Sequence, residues 1–77
     1  MIDAPEYRVW ANIKQRCLNS KAQFYEDYGG RGIKVCARWR SSFEAFIADV
    51  GPRPSPAHEI ERINNDGNYE PGNVRWA

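Results

Sequence analysis

The chain has 77 residues, 13% aromatic side chains and a formal net charge of +1, enough for one small domain with a single core. No apolar run approaches the roughly 20 residues of a membrane span, and the opening residues MIDAPEYR lack the apolar stretch of a secretory signal. The sequence therefore argues against a membrane or secreted protein and predicts one cytoplasmic domain over residues 1–77.

The first predicted element is a helix over residues 5–19, with Pro5 in its first turn. Its apolar residues recur at helical spacing, which places them on one face toward the core. They are Tyr7, Trp10, Ile13 and Cys17. The basic residues of this helix point elsewhere, and they are Arg8, Lys14 and Arg16.

The two cysteines, Cys17 and Cys36, are too few for a disulfide scaffold and lack the C-x-x-C spacing of a zinc knuckle. We expect both to be free and to pack in the core. A zinc site that they share with His58, the only histidine, is the alternative that this spacing disfavours.

A glycine-rich turn precedes a short strand in the segment YGGRGIKVCARW. The glycines at positions 29, 30 and 32 allow positive φ or close backbone approach, and they predict a tight turn. Ile33 and Val35 then alternate with Lys34 and Cys36, which indicates a short strand.

The densest basic run of the chain, RGIKVCARWR, overlaps this segment and contains no acid. Its cations are Arg31, Lys34, Arg38 and Arg40. A basic run that includes Trp39 suits contact with a phosphate backbone, and an ordinary solvated face is the alternative. We predict that these four residues bind nucleic acid.

The second predicted helix lies in SFEAFIADV. Ser41 and Glu44 have the spacing of a capping box, and Gly51 followed by Pro52 ends the helix. One apolar stripe runs along it, formed by Phe43, Phe46, Ile47 and Val50. The proline-rich connector PRPSPAH that follows is expected to be extended.

The last 17 residues, ERINNDGNYEPGNVRWA, read as two short strands joined by a polar loop. The first strand, HEIERI, alternates with Ile60 inward, and the loop Asn64–Asn73 consists mostly of turn-forming residues. We expect Ile60, Val74 and Trp76 to pack on the aromatic residues of the helices. The element order predicts an α+β fold in which two helices pack on a small antiparallel β-hairpin.

The C-terminal stretch NYEPGNVRWA resembles the second half of the motif of the HNH, or His-Me finger, endonucleases. Asn68, Pro71, Asn73, Arg75 and Trp76 occupy matching positions. The segments PEYRVWANIKQRC, YGGRGIKVCARW and SFEAFIADVGPRPSP are also similar to phage and bacterial proteins of HNH type, so the resemblance covers nearly the whole chain.

The resemblance implies a hairpin of the ββα type that supports metal-dependent phosphodiester cleavage. In that family a histidine on the first strand is the general base, a neighbouring carboxylate helps to hold one divalent cation, and an asparagine fixes the loop. The implied roles fall on Glu61 as a ligand of Mg²⁺ or Mn²⁺ and on Asn73 as the loop clamp, bonded to backbone within Asn64–Glu70.

The sequence departs from the family at the base, where Arg62 replaces the histidine. Arg62 cannot accept a proton, although it can bind phosphate or offset transition-state charge. His58 is a candidate replacement for the base. Alternatively, His58 is an ordinary exposed residue at the start of the strand. The family's final helix, which supplies a metal ligand, is expected to be absent or truncated after Ala77.

These features predict an HNH-endonuclease-like, nucleic-acid-binding protein of phage type, with DNA as its partner and little or no Mg²⁺- or Mn²⁺-dependent cleavage. Two other classes stay open. One is a non-catalytic DNA-binding module, and the other is an interaction protein whose basic run binds an acidic protein. No pattern indicates a small-molecule substrate.

Overall fold

A computed structural model describes residues 5–77 of the chain. Residues 1–4 lie outside the described part, and so does that part of the prediction that the opening residues MIDAPEYR are not a secretory signal. The helices are α1 (Pro5–Leu18), α2 (Ala37–Arg40) and α3 (Phe43–Val50), and the strands are β1 (Ile60–Arg62) and β2 (Val74–Trp76). Two 3₁₀ turns, Tyr25–Asp27 and Gly29–Arg31, lie between α1 and α2. Over residues 5–77, no helix has the length and apolar character needed to cross a bilayer.

β1 and β2 form a two-stranded antiparallel sheet, which confirms the predicted α+β class. In its register Ile60 pairs with Trp76 and Arg62 pairs with Val74. Reciprocal backbone hydrogen bonds of 2.8 Å between Glu59 and Ala77 extend the ladder by one residue pair. The hairpin therefore has a single register, and residues at alternate positions point to opposite faces.

The core lies where α1, α2 and α3 meet. Trp39 on α2 is fully buried, and it packs edge-to-face on Phe46 of α3 with the ring centroids 5.2 Å apart. The indole N–H of Trp10 donates to the Trp39 carbonyl at 2.6 Å, which joins α1 to α2. The buried hydrophobic residues are Trp10, Ile13, Cys17, Ile33, Val35, Trp39, Phe46 and Tyr69.

The residues predicted to face the core are mostly buried. On α3, Phe46 is buried and Phe43 and Val50 pack against the core. Trp10, Ile13 and Cys17 are buried, whereas Tyr7 is 43% exposed at the edge of an aromatic group with Trp10 and Phe43. Both cysteines are free, and burial raises the pKa of the Cys17 thiol.

The hairpin packs on this core through Ile60 and Val74, as expected. Trp76 is only half-buried, and its indole N–H donates to the carbonyls of Val50 and Gly51 at 3.1 Å each. Trp76 therefore ties the hairpin to the end of α3, where helix carbonyls lack intrahelical partners.

The short strand predicted at Ile33–Cys36 is wrong. Only Val35 is strand-paired, in an isolated parallel bridge to Tyr69, and the chain then enters α2, which the sequence pattern did not indicate. Cys36 is the N-cap of α2, and its carbonyl accepts hydrogen bonds from the amides of Trp39 and Arg40. Burial of Trp39 favours this turn over a longer strand.

The predicted capping position of α3 is displaced by one residue. Ser42, not Ser41, is the N-cap, and its hydroxyl accepts a hydrogen bond from the Ala45 amide at 3.1 Å. Ser41 instead donates its hydroxyl to the Ala37 carbonyl at the end of α2. Because Ser41 closes α2 in a helical conformation, the extended backbone that a cap needs first appears at Ser42.

Candidate nucleic-acid interface

Glu61 and Arg62, which occupy the catalytic positions implied by the resemblance, point to opposite faces of the hairpin. Arg62 is buried, with 8% of its surface exposed, whereas Glu61 is exposed. Glu61 pairs across the strands with Arg75, and its carboxylate accepts a hydrogen bond from Arg75 Nε at 3.1 Å. Because strand side chains alternate, a cation held by Glu61 would lie on the face that Arg62 does not reach.

The Arg62 guanidinium is bonded inside the hairpin loop. Nη1 donates to the Gly67 carbonyl at 2.9 Å, and Nη2 donates to Asn65 Oδ1 at 3.1 Å. The cation also lies 5.2 Å from the ring centroid of Tyr28 and 5.3 Å from that of Tyr69. Contacts of this kind stabilise a partly desolvated guanidinium, so Arg62 holds the loop against the core.

Asn73 makes the predicted contacts with the loop backbone. Its Oδ1 accepts from the Asn64 amide at 2.8 Å, and its Nδ2 donates to the carbonyls of Asn68 at 2.8 Å and Asn64 at 3.2 Å. A Cβ at Gly67 would lie only 2.8 Å from Asn73 Nδ2, which explains the glycine there. The clamp that the motif implies is therefore present in the structure.

His58 lies before β1, away from the loop. Its Nδ1 is 2.8 Å from the Ser55 hydroxyl, and its carbonyl accepts from Arg53 Nε at 2.6 Å. His58 lines a groove of about 530 Å³ between α1 and the connector, and neither Glu61 nor Arg62 lines that groove. The structure does not bring these three candidate residues into one site.

The four cations of the basic run are all exposed, but they are divided between two parts of the surface. Arg31 forms an ion pair of 2.8 Å with Asp66 in the hairpin loop. The Lys34 backbone amide donates to Asn68 Oδ1 at 2.9 Å, which places Lys34 beside the same loop. Among the residues that the structure describes, the Lys34 side chain has no ion-pair partner.

The other two cations lie on α2. Arg38 donates to both carboxylate oxygens of Asp49 on α3, at 2.7 and 3.2 Å. The Trp39 indole also donates to Asp49, and the bonds from Arg38 and then Trp39 hold the pKa of this carboxyl below its ordinary value. Arg40, like Lys34, has no ion-pair partner within residues 5–77. Of the predicted contact residues, Lys34 and Arg40 thus have uncompensated side-chain charge.

The groove beside His58 collects basic residues that the sequence interpretation did not assign to a site. α1 contributes Arg8, Asn12 and Arg16 to its wall, and Arg53 faces them from the connector. Spacing is the signal that could have found them, because residues four apart lie on the same helix face. These α1 residues lie outside the densest basic run, Arg31–Arg40, in which the nucleic-acid-binding residues were predicted.

The residues around Glu61 do not fit the divalent cation that the resemblance implies. The Glu61 carboxylate is bonded to Arg75, and no group of three His, Cys, Asp or Glu side chains converges anywhere in residues 5–77. At this position the structure offers one carboxylate, already bonded to Arg75.

Comparison with family models, with curated proteins and with solved structures finds no match to this chain.

Proposed function

We propose that this chain is a nucleic-acid-binding module that has an HNH-like hairpin and does not cleave its ligand efficiently. The main support for this proposal is the position of Arg62. At the position where the HNH resemblance expects the base, the Arg62 guanidinium donates to Gly67 and Asn65 and lies against two tyrosine rings. Arg62 accepts no proton, and the Glu61 carboxylate lies on the opposite face of the hairpin.

The binding part of the proposal rests on exposed cations. Lys34 lies beside the hairpin loop and Arg40 lies on α2, and neither has an ion-pair partner in the described chain. Cations of this kind displace counterions from a phosphate backbone, which makes binding strongly dependent on salt and weakly dependent on sequence. Duplex DNA is the proposed ligand of these two residues.

The test measures duplex affinity as a function of salt concentration. The double variant Lys34→Gln with Arg40→Gln should bind more weakly, and the slope of log affinity against log salt should fall by about 1.8, since each phosphate contact contributes about 0.9. The matched control is Arg31→Gln with Arg38→Gln, which removes the same charge from residues already paired with carboxylates. That control should change the slope less.

Salt-independent binding, or no duplex binding at low salt, would contradict the proposal. Binding of an acidic protein that DNA does not displace would favour the interaction-protein alternative.

Cleavage is tested separately on plasmid DNA with Mg²⁺ or Mn²⁺. We expect little or no nicking by the natural chain. We also expect none from Arg62→His, because Glu61 points to the other face of the hairpin. Nicking by Arg62→His that disappears with Glu61→Ala would show that the two positions do cooperate and would contradict their assignment to opposite faces. Efficient metal-dependent nicking by the natural chain would reject the non-cleaving assignment.

A further inference from the structure

Phe24 has a strained backbone and an exposed ring. Its φ of 67° and ψ of 10° are left-handed, and it is the only non-glycine residue with positive φ in residues 5–77. Its surface is 55% exposed, so burial in the core does not compensate for this conformation. Strained residues of this kind cluster at functional sites, and here the strain presents an aromatic ring to solvent.

The surface beside Phe24 continues into the basic groove. A depression of about 280 Å³ has Phe24 at one side and Asn12, Gln15 and Arg16 of α1 at the other. Asn12 and Arg16 also line the groove of about 530 Å³ that ends at Arg53 and His58. The two depressions therefore adjoin at Asn12 and Arg16, and together they form a path along α1, where the helix rises about 12 Å between residues 8 and 16.

The charge along this path is suited to a phosphate chain. Arg16 is half-buried, with its guanidinium 5.4 Å from the Tyr28 ring centroid, and no described residue forms an ion pair with it. The Arg53 guanidinium donates to the carbonyls of His58 and Pro56 and forms no ion pair within residues 5–77. The Glu6 carboxylate accepts from the Arg53 backbone amide at 2.8 Å and so lies near this charge. Among the described residues that line the groove, Glu59 is the only acid.

We propose that this path binds single-stranded nucleic acid, with one base stacked on Phe24 and the phosphates directed to Arg16 and Arg53. A cationic groove combined with an exposed aromatic ring is the arrangement that proteins use for single strands. Bases in a duplex are already stacked on their neighbours, so only an unpaired base can cover the ring. The inference shares with the proposed function the choice of nucleic acid as ligand, but it uses a different surface.

The test follows the binding of a labelled oligodeoxythymidylate to three variants. Phe24→Leu keeps an apolar side chain but loses stacking, and affinity should fall about 5-fold or more; Phe24→Trp keeps stacking and should bind at least as well as the natural chain. Arg16→Gln should weaken binding and lower its salt slope by about 0.7, the value for a single strand. Phe24→Asn, which suits the left-handed backbone, gives a second variant without a ring should Phe24→Leu fold poorly.

Equal binding by the natural chain, Phe24→Leu and Phe24→Asn would overturn the inference, as would loss of binding in Phe24→Trp with an unchanged melting temperature. An oligodeoxyuridylate and an oligouridylate, measured in parallel, differ only in the sugar, so a preference between these two probes assigns the path to DNA or to RNA. Duplex binding measured on the same variants separates the two proposals. Duplex binding without strand binding would reject this inference alone, and strand binding without duplex binding would reject only the assignment of Lys34 and Arg40.

Discussion

The hairpin loop and the groove along α1 contain similar residue types but use them in different ways. In the loop, the side chains of Arg62 and Asn73 bond the loop's own backbone. In the groove, Arg16 lies on an aromatic ring beside open space, and Phe24 presents an exposed ring in a strained conformation. The contrast shows that a segment resembling a catalytic motif can be occupied by structural contacts, while a surface without such a motif presents a cation, Arg16, and an aromatic ring, Phe24, to a ligand.

The largest effect on stability is expected at Arg62, where a substitution tests most directly whether the loop depends on its arginine. Arg62→Ala removes two charged hydrogen bonds and two ring contacts, and it should lower the free energy of unfolding by about 2–4 kcal/mol. Arg62→Lys keeps the charge but not the planar fork, so it should recover only part of this stability. Chemical denaturation measures both variants.

Arg75→Ala is the matched control for Arg62, because it removes an exposed arginine from the neighbouring strand. Its ion pair with Glu61 is solvent-exposed, so the cost should stay below about 1 kcal/mol. If Arg62→Ala were no more costly than Arg75→Ala, the loop would not depend on Arg62, and its guanidinium would be available for a ligand.

A smaller loss is expected when the loop clamp is changed. Asn73→Ala leaves the Asn64 amide and the Asn68 carbonyl without their side-chain partner, which should cost about 1–3 kcal/mol. Asn73→Asp keeps the acceptor for the Asn64 amide but sets a carboxylate oxygen against the carbonyls of Asn64 and Asn68, so its cost should be at least that of Asn73→Ala. Thermal unfolding gives the order, and faster amide exchange at Asn64 in Asn73→Ala alone would locate the change. Equal exchange in the two variants would contradict the clamp.

The pH dependence of stability tests whether Arg38 also serves structure. The folded-state pKa of Asp49 is held below its unfolded value, so its contribution is present above the unfolded pKa of about 3.9 and is lost as the pH falls through the folded pKa. Asp49→Asn should therefore reduce stability at neutral pH and flatten its fall in acid. Arg38→Gln should flatten it less, because the Trp39 bond to Asp49 remains. Parallel acid-unfolding curves for all three chains would contradict this account.

The smallest effect, and one of opposite sign, is expected at Phe24. Asparagine tolerates a left-handed backbone, so Phe24→Asn should leave stability unchanged or raise it by up to about 1 kcal/mol. The matched variant Ala22→Asn, two residues earlier, has no positive φ to relieve and should not be stabilised. Thermal unfolding measures both. A clear destabilisation by Phe24→Asn would mean that the ring supports the fold and would remove the contrast between the loop and the groove.

The sequence alone was enough to predict the helices and strands that depend on residue patterns within one short segment. The apolar period of α1 predicted the burial of Trp10, Ile13 and Cys17, and Gly51 ends α3 where expected. The antiparallel hairpin and the contacts of Asn73 were also predictable, because turn residues and a clamp act within one short segment. Helical and strand periods place a residue on a face whatever the rest of the chain does.

The tertiary structure was needed to show which side chains are bonded within the fold and which are exposed to a ligand. Val35 bridges to Tyr69 and Trp10 donates to Trp39, contacts between residues far apart in sequence that turned a predicted strand into a bridge followed by α2. Arg62 could not be assigned to the loop from its position in a strand, since one of its ring partners, Tyr28, comes from a distant segment. The physical reason is that packing, not local preference, sets which partners a side chain meets, and no period in the sequence records a partner that distant.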